Sequence, residues 1–188
     1  MIIAGTKTDK DWHATKPNLV NGDANVWRSA FNEFFMPRLN LRYLEPINIL
    51  QKNDTYQGVG FSILTIQCSL IEFLESTARG KNYRVRGEPP NQHEYSSSQG
   101  IFVDFLSKRQ PFSNFFDATS AQDFYVNVRC GLLHEAKTKG GWKIKAALPN
   151  DAVADVQNRI VSRNNFQKAL LSYIEDYGVT IETNETLH

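Results

Sequence analysis

The stretch VGFSILTIQCSLIEFLESTAR, residues 59–79, is the most apolar window of the chain, and its interpretation decides the fold. A helix of this length could cross a membrane, but Gln67, Glu72 and Glu75 interrupt the apolar run. Apolar residues around most of a helix are typical of one that is buried among other helices. We therefore predict that residues 59–79 form the buried central helix of a helical bundle.

The polar residues of this helix lie on one narrow face. They recur at intervals of three and four positions, which places them on one side of the helix: Ser62, Thr65, Ser69, Glu72 and Ser76. One interpretation is a thin strip that faces solvent. The other is the lining of a cleft or subunit interface, which small hydroxyl side chains suit better than lysine or arginine would. The sequence leaves both interpretations open.

The rest of the chain repeats the helical pattern, so we predict a mainly α fold of five or six helices. A helix begins at Asn25, and Pro37 should end or kink it. A further helical piece extends to Pro46. The later predicted helices are residues 99–108, Thr119 or Ser120 to about Glu135, and 163–177 with Gly178 as C-cap.

Two segments depart from this helical pattern. Residues 1–22 are polar and rich in turn formers, which predicts a flexible N-terminal arm before a single domain over residues 23–188. After a glycine pair, apolar and charged residues alternate over residues 142–145, which predicts a short strand. A second strand is expected near residues 159–161, so a small β-hairpin or short two-stranded element should form there.

The bulk composition limits the classes of function. The net charge is +1, so no strong overall field would attract polyanions or membranes. Cys68 and Cys130 lie in apolar helical surroundings and are expected to be reduced and free. Two cysteines and four scattered histidines have no zinc-ligand spacing, so no metal or other cofactor is expected. The apolar run at the N-terminus is too short for a signal peptide, and we expect a cytoplasmic protein without membrane contact.

The stretch NVRCGLLHEAKTKGGW, residues 127–142, places an arginine in an unusual setting. Arg129 shares its helix row with Tyr125 and Leu133, where a solvated arginine is not expected. Such an arginine either pairs with a buried carboxylate, for which Glu72 is a candidate, or faces a cleft or interface. His134 lies about 140° around an ideal helix from Arg129, so the two cannot form a tight pair within that helix.

RCGLLH, residues 129–134, resembles the R-x4–6-H motif of HEPN domains, and GLLHE follows the arginine as in many members. The earlier helix, TIQCSLIEFLESTARG, is similar to the HEPN helix that carries an embedded glutamate. The resemblance covers roughly residues 58–178. Arg86 and His93 also have an allowed spacing, but a glycine and two prolines between them exclude a helix. The residue after the arginine is often Asn, Asp or His in active members, and here it is Cys130.

The resemblance implies an α-helical bundle and, for many members, a metal-independent endoribonuclease of toxin–antitoxin or phage-defence systems. His134 would be the general acid or base, and Arg129 would hold the phosphate while the RNA 2′-hydroxyl attacks it to form a 2′,3′-cyclic phosphate. Members usually dimerise through the motif helix, which implies a homodimer with a composite active site, and an antitoxin or other protein as partner. The residues expected to support this site are Glu72, Asn127, Cys130 and Glu135.

Two alternatives to this enzyme remain. A non-catalytic HEPN-like module would dimerise through the same helix and bind a protein, RNA or nucleotide. An unrelated α-helical protein would carry the motif by chance. The long loop over residues 79–98 adds a weaker signal, because its basic and aromatic residues suit phosphate and base contacts, although a solvated loop has the same composition. Its candidate RNA-binding residues are Lys81, Tyr83, Arg84 and Arg86.

Overall fold

The computed structural model describes residues 1–20, 22–53, 55, 57–85 and 90–183. These residues are mainly helical with a few short strands, which confirms the mainly α class. They form two compact units, one built from residues 1–53 and the chain from Leu171 onward, the other from residues 54–170. The division into a flexible arm over residues 1–22 and a single domain over residues 23–188 stays a prediction.

The first unit begins with regular structure where the sequence predicts a flexible arm. Strands β1 (Ile2–Ala4) and β2 (Lys7–Thr8) pair antiparallel, and helix α1 (Asp9–Leu19) follows directly. A capping box begins the helix: the Asp11 carboxylate accepts the Thr8 backbone N–H at 2.6 Å, and the Thr8 hydroxyl accepts the Asp11 N–H at 3.4 Å. The box satisfies N–H groups that the first helical turn leaves without partners, and this explains how so polar a segment forms a helix.

A long helical segment from Ala24 to Lys52 follows in the same unit. It consists of α2 (Ala24–Ala30), α3 (Met36–Leu39) and α4 (Glu45–Lys52), joined by π-helical turns at Phe31–Phe35 and Asn40–Leu44. Pro37 does not end the helix, although that is one of the two predicted outcomes, and the helix also continues through Pro46. Proline lacks an N–H, and its ring crowds the carbonyl four residues back. In both cases that carbonyl lies in a wider π-helical turn, which accommodates the ring.

The second unit contains helix α5 (Val59–Ala78), which confirms the predicted central helix. By length and composition α5 could cross a membrane, but more than half of its most apolar window is buried inside the protein. Such burial is typical of the core helix of a soluble protein. Its most buried acid, Glu75, is neutralised by ion pairs with Arg79 at 2.7 Å and with Arg109 at 2.8 Å. A charge inside an apolar helix therefore has the partners that its burial requires.

A phenylalanine-rich core fills the second unit. Strands β3 (Asn82–Tyr83) and β4 (Glu94–Tyr95) pair in parallel, and helix α6 (Ser98–Lys108) confirms the helix predicted over residues 99–108. The fully buried aromatic side chains are Phe102, Phe105, Phe112, Phe116, Phe124 and Phe166. Many of these rings meet edge-on or stacked, with centroids between 5.0 and 6.2 Å apart, which adds to the stabilisation from burial.

The Arg–His motif lies on a helical segment, residues 118–135, that we call the motif helix. It comprises α7 (Ala118–Phe124), a π-helical turn (Tyr125–Arg129) and α8 (Cys130–Glu135). Its N-cap is Asp117, whose carboxylate accepts the Ser120 backbone N–H at 2.7 Å within a capping box. The helix therefore begins one residue before the predicted start near Thr119 or Ser120, because Ser120 is the inner residue of the box and not its cap.

Three short strands follow the motif helix. β5 (Lys143–Lys145), β6 (Ala154–Asp155) and β7 (Ile160–Ser162) form a sheet in the order β5-β7-β6. The two predicted strands are confirmed as β5 and β7. The predicted hairpin or two-stranded element is wrong, because β5 runs parallel to β7 and the third strand, β6, pairs with β7 on its other side. Parallel neighbours need a crossover connection and cannot form a hairpin.

The last helix, α9 (Arg163–Thr183), begins where the sequence predicts but continues past Gly178. The predicted C-cap at Gly178 is wrong. A Cβ atom added there would lie 2.9 Å from the ring of Phe31, so the absence of a side chain allows close packing within the first unit. A glycine chosen for a tertiary contact cannot be told from a C-cap glycine by its position in the sequence.

Candidate functional site

Arg129 and Glu72 form an ion pair between the motif helix and α5. The Glu72 Oε1 atom accepts from Arg129 Nε at 2.8 Å and lies 2.5 Å from Nη2. Each side chain is 16% exposed. The apolar helix row around Arg129 predicts either a carboxylate partner or a cleft or interface, and Glu72, the candidate from the polar stripe, is the carboxylate that Arg129 contacts.

Two aromatic residues complete the surroundings of this pair. The guanidinium of Arg129 lies over the Tyr125 ring, with Cζ 5.3 Å from the centroid. Burial opposes the charged form of Arg129, but the Glu72 carboxylate outweighs burial and keeps the arginine pKa raised. Burial raises the pKa of Tyr95, which hydrogen-bonds Ser76 and lies near both members of the pair. Arg129 therefore keeps its charge beside Tyr125 and Tyr95, and burial raises the pKa of both phenols.

His134 lies apart from this cluster. It is the next-to-last residue of α8 and its side chain is exposed. Across the described ranges no hydrogen bond or ion pair joins His134 to Arg129 or to any other residue. The structure of one chain thus places the two motif residues on the same helix without bringing their functional groups together, as the angular argument from the sequence predicts.

Of the other predicted support residues, Asn127 and Glu135 have structural partners. The Asn127 side chain donates to Asp123 at 2.8 Å, and the backbone carbonyl of Asn127 accepts the Lys139 N–H at 2.7 Å. Glu135 forms ion pairs with Lys139 at 2.8 Å and Lys137 at 3.5 Å. Both residues therefore hold the segment after the motif helix against it, and neither contacts Arg129.

The two cysteines are free thiols, as expected. Cys68 is buried in α5, and burial raises the pKa of its thiol, so it stays neutral as a small apolar side chain. Cys130 is half-buried and interacts with Tyr125 and Arg129. A thiol is a weak hydrogen-bond partner, so Glu72 and not Cys130 fixes the arginine.

Gly131, inside the motif, has a role that sequence reasoning missed. A Cβ atom at this position would lie 2.5 Å from the carbonyl oxygen of Lys137. The chain after the motif helix turns back and passes directly over Gly131, with the Lys137 N–H donating to the Gly131 carbonyl at 3.4 Å. The only signal in the sequence is a glycine inside a helix, a position where alanine is normally better.

Of the weaker RNA-binding candidates in the long loop, Tyr83 is the one that the described residues place near the Arg129–Glu72 pair. Tyr83 is exposed and packs edge-on against Tyr95 at 5.5 Å, which places it beside the arginine cluster. Arg84 pairs with Glu94 at 3.0 Å, which weakens the attraction of its positive charge for a phosphate. Lys81 is half-buried. Arg86 lies outside the described residues.

One exposed face surrounds Arg129. Val126 and Leu133, one helical turn before and after it on the motif helix, are apolar yet 43% and 50% exposed. On α5, Ser62 and Ser69 of the polar stripe are exposed, while Ser76 at its far end is buried. The stripe therefore meets solvent at one end and the Arg129 cluster at the other. We call Val126, Arg129 and Leu133 the motif face.

Within the described part of the chain, no three His, Cys, Asp or Glu side chains are grouped to hold a metal ion. Comparison with known proteins adds no family to this argument: no protein-family model, no curated protein and no solved structure matches this chain.

Proposed function

We propose that the chain is an HEPN-type endoribonuclease that cleaves RNA without a metal ion and acts as a homodimer. The RNA 2′-hydroxyl attacks the adjacent phosphate, and the products are a 2′,3′-cyclic phosphate and a 5′-hydroxyl. The observation that carries the proposal is the exposed imidazole of His134, which has no polar partner among the residues that the structure describes, on the same helix as an arginine fixed by Glu72. The resemblance of residues 129–134 to the R-x4–6-H motif supplies the reaction.

The two side chains suit the two tasks of this reaction. Histidine exchanges protons near neutral pH, so His134 takes a proton from the 2′-hydroxyl or gives one to the leaving 5′-oxygen. Arginine has five N–H donors, and Glu72 engages its Nε and Nη2 groups. In this proposal, donors that Glu72 does not engage bind a phosphate oxygen, where they would stabilise the charge that grows during attack.

A second copy of the chain completes the site in this proposal. Arg129 and His134 do not meet within one chain, so each copy supplies the group that the other lacks. The motif face supports this arrangement because its apolar residues, Val126 and Leu133, are exposed on either side of Arg129. Exposed apolar side chains around a functional group are typical of an interface between subunits.

A second candidate function is favoured by one specific observation. Arg129 is engaged by Glu72, and an arginine neutralised in this way serves structure as well as it serves phosphate binding. In this alternative the chain is a non-catalytic HEPN-like module that dimerises through the same helix and binds a protein, RNA or nucleotide.

The test is RNA cleavage in the presence of EDTA. Purified protein is incubated with mixed RNA, and product ends are examined for cyclic phosphate. Cleavage by the wild type and its loss in His134→Ala and Arg129→Ala would support the nuclease. His93→Ala is the matched control, because His93 is an exposed histidine outside the motif helix. If the wild type cleaves none of a wide set of RNAs, the nuclease is wrong.

Mixing the two inactive variants tests the composite site. In a mixed dimer of His134→Ala and Arg129→Ala chains, one site keeps both intact residues if the arginine and histidine come from different copies. Random pairing then restores roughly a quarter of the wild-type activity. If both residues come from the same chain, every site in the mixture lacks one group, and activity stays at the background of the separate variants.

A further inference from the structure

A cluster of lysines directly follows the motif helix. Residues 136–145 contain four lysines and no acidic residue, in a chain whose net charge is only +1. All four are exposed, although the Lys139 side chain is only 41% exposed, and we call them the lysine strip: Lys137, Lys139, Lys143 and Lys145. Positive charge is therefore concentrated locally, although the chain as a whole is nearly neutral.

The first half of the strip is fixed against the helix that carries His134. Lys137 passes over Gly131, one helical turn before His134, and the Lys139 N–H donates to the Asn127 carbonyl at 2.7 Å. These backbone contacts set the position of the segment relative to the motif helix. The strip therefore begins beside the row of the helix on which His134 lies.

The second half of the strip lies on an edge strand. β5 is an outer strand of its sheet, and Lys143 and Lys145, two residues apart, project from the same face of it. Their side chains start roughly 6.5 Å apart, which is comparable to the separation of successive phosphates along a nucleic-acid strand. Arg159 adds an exposed cation next to them, since its carbonyl accepts the Lys143 N–H at 2.8 Å.

Few carboxylates oppose this charge. Glu135 pairs with Lys137 and Lys139, and Asp155 lies near enough to Lys145 to feel its charge. Neither Lys143 nor Lys145 forms an ion pair with any residue that the structure describes. Lysine on an edge strand also prevents pairing with other chains, whereas Lys137 and Lys139 precede the strand and pair with Glu135.

We propose that the lysine strip, extended by Arg159, binds the phosphate backbone of an RNA strand and leads it to His134. The lysines act as point charges that contact phosphates whatever the base sequence. The destination at His134 rests on the proposed nuclease function, whereas binding of RNA to the strip is measured without cleavage.

The experiment uses full-length protein with His134→Ala, so that RNA is not cleaved during the measurement. Binding to a fluorescently labelled single-stranded RNA is followed by anisotropy over a range of KCl concentrations. Replacing both Lys143 and Lys145 by glutamine weakens binding and lowers the slope of log affinity against log salt by about 1.4, from a loss of about 0.7 per phosphate contact. The matched control, Lys10→Gln with Lys16→Gln, removes the same charge from two exposed lysines of α1 and leaves the slope unchanged.

Three results would overturn the inference. The first is no salt-dependent binding of RNA by the His134→Ala protein. The second is an equal loss of slope in both double variants, which would indicate net charge and not the strip. The third is competition by poly-glutamate as effective as that by unlabelled RNA, which would indicate an acidic protein partner. RNA cleavage by the wild type is scored separately, so the nuclease stands or fails on its own assay.

Discussion

Arg129 carries its charge in a largely buried position, and Glu72 is the residue that stabilises it there. We expect Glu72→Gln to lower the free energy of unfolding by about 1–3 kcal/mol, because a partly buried guanidinium loses a charged hydrogen-bond partner. RNA cleavage should fall as well, since Arg129 is no longer fixed. Urea unfolding at neutral pH measures the first effect, and Glu135→Gln is the control on an exposed ion pair of the same region. Equal losses in both variants would contradict a special role for Glu72.

Gly131 carries no functional group, yet its lack of a side chain sets the path of the chain after the motif. We expect Gly131→Ala to cost about 1–3 kcal/mol of stability, because its Cβ would overlap the Lys137 carbonyl at 2.5 Å. The control is Gly100→Ala in α6, where nothing lies within 4 Å of the added carbon. That change should stabilise the protein by about 0.5–1 kcal/mol through helix propensity alone. Thermal or urea unfolding should show a lower free energy of unfolding for Gly131→Ala and a higher one for Gly100→Ala. If both variants change it in the same direction, the chain near Lys137 moves aside at little energetic cost.

The motif helix as an element depends on its N-terminal cap. The Ser120 backbone N–H and hydroxyl donate to the Asp117 carboxylate and hold its pKa below the ordinary value of 3.8. A carboxyl with a lower pKa in the folded chain stabilises the fold above about pH 3.8. This contribution is lost as the pH falls through the folded-state pKa.

We therefore expect Asp117→Ala to lower stability at pH 7, and the difference from wild type to be smaller at about pH 2.5, which lies below the unfolded-state pKa, because the contribution is lost as the pH falls through the folded-state pKa. Urea unfolding at the two pH values measures it. Asp176→Ala, on the exposed side of α9, should change stability little at either pH. A difference for Asp117→Ala that is the same at both pH values would mean that the charged carboxylate is not what caps the helix.

The elements that the sequence predicts correctly are those defined by burial. α5 and α6 follow the 3.6-residue apolar period and lie within a residue or so of their predicted bounds. The wrong predictions arise where a tertiary contact or an unusual backbone conformation overrides a local sequence rule. π-helical turns carry the chain through Pro37 and Pro46, and a ring contact explains Gly178. Such effects leave no periodic signal.

The same distinction applies to the candidate site: some of its contacts could be predicted from the sequence and others could not. The Arg129–Glu72 contact could be inferred because an arginine in an apolar row needs a carboxylate, and only a few lie on buried helices. The structural partners of Asn127 and Glu135 could not, since they depend on how the chain turns after residue 135. Tyr95 lies near the Arg129–Glu72 pair but on strand β4, which is distant in sequence from both residues, so no local sequence pattern predicts this contact.

At the scale of the whole molecule, the proposed chemistry requires two chains, and the motif face is where they would meet. Leu133 is apolar and half exposed one turn beyond Arg129, so a charge there would be buried without a partner in the proposed dimer. We expect Leu133→Glu to shift the protein from twice the mass of the chain to the mass of one chain, and to abolish RNA cleavage. Light scattering after gel filtration, repeated over a range of concentrations, measures the mass.

The control for this dimer is Ile49→Glu, because Ile49 is equally apolar and 53% exposed on α4 but lies outside the motif face. It should leave both mass and cleavage unchanged. If Leu133→Glu is monomeric but still cleaves RNA at the wild-type rate, the composite site is wrong and Arg129 and His134 must act within one chain. If it is dimeric and inactive, the dimer forms elsewhere, and Leu133 contributes to RNA contact instead of subunit contact.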